Sequence, residues 1–253
     1  MEAYLGEFLG TALLILLGGG VCANVSLPQT KGQGSGWIVI SFGWAMAVFV
    51  AVWCVGEMSG AHINPAVTIG LAAADEFEWA KVPGFLTAQL AGAMVGAAVV
   101  WLAYYDHFKA CDEPATKLGV FATGPAIRNY PFNVLSEVVG TFVLVLAVLL
   151  AADPSVEWPS PTSSTAEEQV TTKVGLGALG ALPVGLLVLA IGLSLGGTTG
   201  YAINPARDLG PRIAHALLPI PAKGSSDWSY AWVPIAGPLI GALLAAVVVR
   251  IIG

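Results

Sequence analysis

The sequence predicts an all-α membrane protein with six transmembrane helices and two half-helices, arranged as an inverted 3+3 repeat. The first observation is composition: 56% of the 253 residues are hydrophobic and 10% are charged, against about 25% charged in soluble domains. The second is that the apolar runs are long and unbroken, as in Val134–Ala152 and Ala231–Ile252. A membrane β-barrel would instead need alternating segments of about ten residues. The third is that motifs of the first half recur in the second.

Six apolar stretches reach the roughly 20 residues that a helix needs to cross a bilayer. These predicted spans are Ala3–Asn24, Trp37–Val55, Pro83–Tyr105, Phe132–Ala152, Val174–Leu195 and Tyr230–Ile252. Turn-forming and polar residues mark the connecting segments. The connecting segments are Ser26–Gly36, Asp106–Tyr130, Asp153–Thr172 and Pro219–Ser229, of which the third, rich in Pro, Ser, Thr and Glu, is predicted to be a mobile loop.

Two further apolar segments, Gly60–Ala74 and Gly200–Leu218, are too short to cross and are interrupted by Asn-Pro. They belong to an internal repeat, since Glu7–Thr11 is also echoed by Glu137–Thr141. Each half holds three spans, so the second half enters the membrane from the opposite side. We therefore expect one channel domain over 1–253, with repeats at about 1–110 and 131–253 and a linker at 111–130. Short, Pro-interrupted segments at matching places in two halves point to a permeation or binding site.

The two interruptions are the motifs Asn64-Pro65-Ala66 and Asn204-Pro205-Ala206. Asn is a favoured N-cap, and Pro suits the first turn of a helix. Each motif therefore predicts the start of a short helix that dips into the membrane. In inverted halves the two helix starts meet near the bilayer centre, with their positive dipole ends and amide donors facing whatever passes.

These motifs resemble the major intrinsic protein family, the aquaporins and glycerol facilitators. The similarity covers nearly the whole chain and is most specific at Ser59–Val67 and Gly200–Arg212. It implies a passive channel without catalysis or cofactor, a homotetramer, and both termini in the cytoplasm. The short termini, which carry no targeting extension, predict the plasma membrane. The Lys and Arg of the connecting segments are then fewer inside than outside, against the positive-inside tendency.

The resemblance assigns a selectivity filter to Trp44, Gly192, Tyr201 and Arg207. Strict water channels place His where this chain has Gly192, and a glycine there is expected to widen the passage. Trp44 and Tyr201 would form an apolar corner for a polyol, while the donors of Arg207 bind its hydroxyl groups. Glycerol facilitators commonly have Phe in place of Tyr201, so lactic acid, urea and dihydroxyacetone remain open as solutes beside glycerol.

Other positions take roles from the same resemblance. Asp208, Arg212, Pro234 and Ile235 match the glycerol branch, and Glu7 and Glu137 are expected to accept hydrogen bonds from the pore loops. The carbonyl groups expected to line the pore are those of Gly60, Ala61, His62, Gly200, Tyr201 and Ala202.

Two alternatives stay open. One is a water-selective aquaporin, which Gly192 disfavours. The other is an inverted-repeat, proton-coupled transporter, in which Glu7 and Glu137 would titrate. The net charge of −6 argues against a nucleic-acid partner, because no basic patch is available to neutralise phosphates. The odd set Cys22, Cys54 and Cys111 suggests neither a disulfide framework nor a metal site.

Overall fold

The computed structural model describes residues 1–151, 155–159 and 171–252. Its α-helices, in chain order, are α1 (Glu2–Ser26), α2 (Trp37–Ser59), α3 (Pro65–Ala73), α4 (Val82–Ala103), α5 (Tyr105–Ala110), α6 (Pro114–Phe121), α7 (Tyr130–Leu150), α8 (Leu182–Ser194), α9 (Pro205–Leu217) and α10 (Val233–Ile252). Two short strands, β1 (Ser155–Pro159) and β2 (Thr171–Gly175), pair in antiparallel register between α7 and α8.

Within the described ranges, six helical segments are long and apolar enough to cross a membrane, and each overlaps one predicted span. They are Glu2–Ser26, Trp37–Ser59, Trp79–Ala103, Tyr130–Leu150, Gly177–Ser194 and Val233–Ile252. Helices α3 and α9, with 9 and 13 residues, are the predicted half-helices. They begin at Pro65 and Pro205, as the Asn-Pro motifs predict. The fold-class prediction is confirmed.

The fifth span departs from its prediction. The apolar pattern predicts a start at Val174, but Val174 and Gly175 belong to β2, and the helix begins only after a 3-10 turn over Gly177–Ala181. The apolar pattern runs on through the end of a strand, and hydropathy alone does not separate strand from helix. Most of the predicted loop 153–172 lies outside the described residues. Its described parts form β1 and the start of β2 rather than loop.

The segment 106–130, predicted only as a connection, contains most of α5 and all of α6. Helix α6 packs against α1 and α9. This segment therefore packs against the second half-helix, α9.

The packing of the helices follows the predicted repeat. Helix α1 packs against α2 and α4, and α7 correspondingly packs against α8 and most extensively against α10. Half-helix α3 lies against α10, and half-helix α9 lies against α4. Each half-helix thus packs against the last long helix of the other half. The two halves interlock, and this arrangement brings both Asn-Pro motifs to the middle of the molecule.

Glycines allow the tightest of these contacts. A Cβ on Gly92 or Gly96 of α4 would lie 2.2 or 2.5 Å from a carbonyl oxygen of α1. In the second half, a Cβ on Gly241 of α10 would lie 2.4 Å from a carbonyl oxygen of α7, and one on Gly237 would lie 2.5 Å from Cβ of Glu137. Small residues four apart are typical of closely packed membrane helices. They hold the two helices that carry the buried glutamates firmly in place.

Large apolar side chains cover the outside of the helical bundle. Ile38 is 72% exposed, Phe132 65% and Val247 53%. Patches of this kind are rare on soluble monomers, but they suit contact with lipid tails. Many of the buried polar and charged residues lie instead around the two half-helices, where the candidate site is found.

Candidate permeation pathway

Each half-helix begins with its asparagine as the N-cap. Oδ1 of Asn64 accepts a hydrogen bond of 2.8 Å from the backbone N–H of Ala66. Oδ1 of Asn204 accepts bonds of 3.0 and 3.1 Å from the N–H groups of Ala206 and Arg207. The side-chain oxygen satisfies donors that the first turn leaves unpaired. Capping therefore fixes both asparagine side chains at the start of their helices.

The two pore loops touch at their tips. Nδ2 of Asn64 donates to the carbonyl oxygen of Ile203, and Nδ2 of Asn204 donates to that of Ile63, each over 2.8 Å. An amide nitrogen carries two hydrogens. One hydrogen of each asparagine thus joins the loops, and one remains for a passing solute. The sequence predicts that the helix starts meet, but it does not predict these reciprocal bonds.

Glu7 of α1 supports the first pore loop. Its carboxylate accepts hydrogen bonds from the N–H groups of His62 (2.9 Å) and Ile63 (2.7 Å). It also accepts from the Ser59 hydroxyl at 2.7 Å and from Nε2 of Gln89 at 2.6 Å. Glu7 is fully buried, and a buried carboxylate needs such partners. The loop's N–H groups are thereby turned toward α1.

Glu137 of α7 does the same for the second loop. It accepts from the N–H groups of Ala202 (3.0 Å) and Ile203 (2.8 Å) and from the Thr199 hydroxyl (2.6 Å). Ser59 and Thr199 therefore play matching parts in the two repeats. Neither hydroxyl was singled out from the sequence, although each precedes its loop's glycine.

The backbone of both loops is strained at matching positions. Ala61 and Ile63 have φ values of 49° and 44°, and Tyr201 and Ile203 have values of 37° and 42°. Positive φ is uncommon for residues other than glycine, and for β-branched isoleucine it is an outlier. Such strain persists only where the surroundings over-determine it. Here the glutamate bonds and the asparagine bridges supply that constraint.

A cavity of about 450 Å³ runs beside the joined loops. Residues of both loops line it: Gly60, Ala61, His62, Ile63, Asn64, Tyr201, Ala202, Ile203, Asn204 and Arg207. Apolar side chains of the long helices form much of the remaining wall: Val48, Val52, Leu144, Val148, Val184 and Val188. The wall is therefore polar along the loops and apolar along α2, α7 and α8.

Most of the residues predicted for the filter, the two motifs and the pore-lining carbonyls line this cavity, and six do not. The prolines and alanines of the Asn-Pro-Ala motifs, Gly200 and Gly192 are absent from the lining. Ile63 and Ile203 do line it, and sequence reasoning missed them. Their position beside each Asn-Pro was the available signal, but an isoleucine there reads as ordinary hydrophobic packing.

Arg207 and Trp44 both line the cavity and contact each other. The guanidinium carbon of Arg207 lies 4.0 Å from the centroid of the Trp44 ring, which is a cation–π contact. Arg207 is 8% exposed and Trp44 is 4% exposed. Within the described part of the chain, this guanidinium enters no ion pair and no side-chain hydrogen bond. Its donors are consequently available to a solute in the cavity.

Tyr201 fills the space next to Gly192. A Cβ on Gly192 would lie 2.9 Å from Cζ of Tyr201 and 3.2 Å from Oγ of Ser41. The Tyr201 ring also packs edge-on against Trp37, whose indole N–H donates to the carbonyl oxygen of Gly192 over 2.9 Å. The sequence predicts a gap in the filter at this glycine, but the tyrosine occupies that gap. Tyr201, not Gly192, faces the cavity.

The comparisons with known proteins agree with this geometry. The family model described as Major intrinsic protein matches residues 1–249. The chain belongs to the major intrinsic protein family. With six apolar helices, it is a multi-pass membrane protein.

Its relatives include named glycerol facilitators. The chain is 55% identical to the probable glycerol uptake facilitator protein of Thermotoga maritima, over 97% of each chain. It is 53% identical to the glycerol uptake facilitator protein of Bacillus subtilis, over 95% of this chain and 81% of the relative. The X-ray structure of the aquaglyceroporin from Plasmodium falciparum is similar with a TM-score of 0.78 and 31% identity, covering 97% of this chain and 93% of that one.

In this member of the family, Asp208 and Arg212 form a buried ion pair on α9. Nε of Arg212 lies 2.8 Å from Oδ1 of Asp208, and both side chains are fully buried. Asp208 also accepts from the N–H and hydroxyl of Thr123, at 2.7 Å each, and Arg212 donates to the carbonyl oxygen of Ser226 over 2.8 Å. The pair thus connects α9 to Thr123, which follows α6, and to Ser226, which follows α9 itself.

The other two branch markers lie at the start of α10. Pro234 is buried in its first turn and Ile235 is half-buried. Neither lines the cavity. Among the described residues there is no group of three or more His, Cys, Asp or Glu placed to hold a metal ion. Cys22, Cys54 and Cys111 are free thiols.

Proposed function

We propose that this protein is a passive transmembrane channel for glycerol, related small uncharged solutes and water. One observation carries the proposal: the Arg207 guanidinium, which no described residue engages in an ion pair or side-chain hydrogen bond, lies on the Trp44 ring at a cavity that is otherwise polar on one side and apolar on the other. Glycerol has hydroxyl groups along one edge and carbon along the other. Two bacterial relatives of this chain are named as glycerol uptake facilitators, and these names support glycerol as the solute.

The proposed path uses the loop carbonyls as acceptors. Because Glu7 and Glu137 accept hydrogen bonds from N–H groups of the loops, we expect the carbonyl groups of lining residues such as Ala61 and Ala202 to be available to a solute. Asn64 and Asn204 each have one amide hydrogen left for a solute oxygen at mid-channel. Conduction requires sites that replace lost hydration without holding the solute tightly. Two short rows of acceptors with an apolar wall meet that requirement.

Positive charge along the pathway would oppose the passage of cations and protons. Arg207 lines the cavity, and the N-termini of α3 and α9 meet beside it. Each helix N-terminus carries roughly half a positive charge. Half-helix dipoles and an arginine are a known way to exclude cations and protons from a pore.

The remaining assignments follow the family. We propose a single channel domain of two repeats, a homotetramer in the plasma membrane with cytoplasmic termini, and no catalytic activity. The rival proton-coupled transporter needs Glu7 or Glu137 to exchange protons. Each glutamate instead accepts three or four hydrogen bonds that hold its pore loop, which favours a structural role over proton exchange.

The test is stopped-flow light scattering on proteoliposomes that hold the purified protein. Glycerol, urea, lactic acid, dihydroxyacetone and water are compared with empty liposomes. A passive channel gives glycerol flux proportional to its gradient and unchanged by an imposed pH gradient. Saturable, pH-driven uptake would establish the transporter, and water flux without glycerol flux would establish the water-selective channel.

A further inference from the structure

The Trp44 ring rests on two residues of α1. A Cβ on Gly18 would lie 2.3 Å from both Cε3 and Cζ3 of the indole, closer than real Cβ atoms ever come. One turn further along α1, Sγ of Cys22 accepts a hydrogen bond of 3.3 Å from the indole Nε1–H. Residues four apart lie on one face of a helix. Gly18 and Cys22 therefore form one seat, with the glycine under the benzene part of the ring and the thiol at its nitrogen.

This seat determines which groups of the Trp44 side chain are available to a solute in the cavity. The indole N–H is already engaged by Cys22 and is not free for a solute. The same ring carries the Arg207 guanidinium at 4.0 Å. Neither Gly18 nor Cys22 lines the cavity, whereas Trp44 and Arg207 do. The two α1 residues can thus affect permeation only through the ring.

We propose that Gly18 and Cys22 are positioning residues for the filter. They fix the place and rotation of the Trp44 ring and so determine the width of the passage and the solute size that it admits. This inference rests on the proposed channel function and deepens it, because it concerns discrimination among polyols by the same site.

Two kinds of variant separate the effect of the passage width from the effect of the Trp44 ring's rotation. Gly18→Ala forces the ring away from α1 toward Arg207 and narrows the passage, so glycerol permeability falls about tenfold while water permeability falls less. Cys22→Ala removes the acceptor and lets the ring turn, so the ratio of glycerol to erythritol permeability drops about two- to fivefold. Cys22→Ser keeps an acceptor and restores most of that ratio.

Matched controls are available in the chain. Gly20 lies on the same helix, and nothing lies within 4 Å of the position that a Cβ would take there, so Gly20→Ala tests helix effects without touching the ring. Cys111 is a buried free thiol elsewhere in the chain, so Cys111→Ala tests the loss of a buried thiol alone. Both are expected to match the wild type.

The experiment measures water, glycerol and erythritol permeability in proteoliposomes for these variants, for Trp44→Phe alone, and for Cys22→Ala combined with Trp44→Phe. Phenylalanine has no N–H, so in that background Cys22→Ala should change the glycerol-to-erythritol ratio no further. The proposal is overturned if the ratio changes equally in both backgrounds, or if Gly18→Ala behaves as Gly20→Ala does. Should Gly18→Ala fail to fold, the cysteine cycle alone decides. A wild type without glycerol flux would instead refute the proposed function.

Discussion

Gly192 and Tyr201 share one space beside the filter, since a Cβ on the glycine would lie 2.9 Å from Cζ of the tyrosine and 3.1 Å from its hydroxyl oxygen. The glycine therefore does not open the passage directly. It admits an aromatic ring that then forms the wall. The width of this corner depends on where the Tyr201 ring rests against Trp37.

The contact between Gly192 and Tyr201 predicts the effect of a larger side chain at position 192. Gly192→His drives the Tyr201 ring toward the cavity, and we expect glycerol permeability to fall by about tenfold or more, with a smaller fall for water, the smaller solute. Stopped-flow measurements on proteoliposomes check this. Gly197→Ala is the control, because nothing lies within 4 Å of a Cβ there. Unchanged glycerol flux in Gly192→His would refute the filter assignment.

A second prediction concerns the support of the second loop. Glu137→Gln keeps the shape of the side chain but presents an amide group to three donors, so at least one donor loses its acceptor. An unpaired buried donor costs about 1–3 kcal/mol, and the strained backbone at Tyr201 and Ile203 then loses its restraint. We expect a lower thermal unfolding midpoint in detergent together with reduced glycerol flux. Glu113→Gln, at an exposed glutamate, should change neither property.

The buried ion pair on α9 gives a third prediction. Removing one partner of such a pair typically costs about 3–5 kcal/mol, because the other charge stays buried and unpaired. Asp208→Asn should therefore lower the free energy of unfolding strongly. Lys81→Ala breaks the exposed pair with Glu78 and should cost no more than about 1 kcal/mol. Similar losses in both variants would show that Asp208 and Arg212 do not act as a buried pair.

A fourth prediction concerns pH and a pair outside the membrane spans. Arg128 donates to both carboxylate oxygens of Asp227, and these hydrogen bonds lower the pKa of Asp227 below its ordinary value. A lowered pKa adds stability that is complete above the unfolded value of about 3.9 and is lost as the pH falls through the lower folded value. Because the pair is partly exposed, its contribution is below about 1 kcal/mol.

The check is the difference in unfolding midpoint between wild type and Asp227→Asn, measured from neutral pH down to about pH 3. We expect the wild type to be more stable near neutrality and the difference to shrink toward zero in acid. Asp112→Asn, at an exposed aspartate, serves as the comparison. A difference that grows as the pH falls would contradict the predicted sign.

The fold was accessible from sequence where a single physical rule decides the outcome. Long apolar runs must become helices in lipid, because every backbone polar group has to be satisfied within the segment. The elements that were missed obey no such rule. Helix α6 is set by its packing on α1 and α9, and β2 is set by pairing with a strand more than ten residues away.

The sequence by itself determined the six spans, the two half-helices and the residues at their starts, because hydropathy, Asn caps and Pro at the first turn act over a few neighbouring positions. The tertiary structure decided how Asn64 bonds to Ile203, that Tyr201 fills the space at Gly192, and that α1 seats the Trp44 ring. These are contacts between residues far apart in the chain. They exist only once two interlocked halves have packed, and no local pattern encodes their distances.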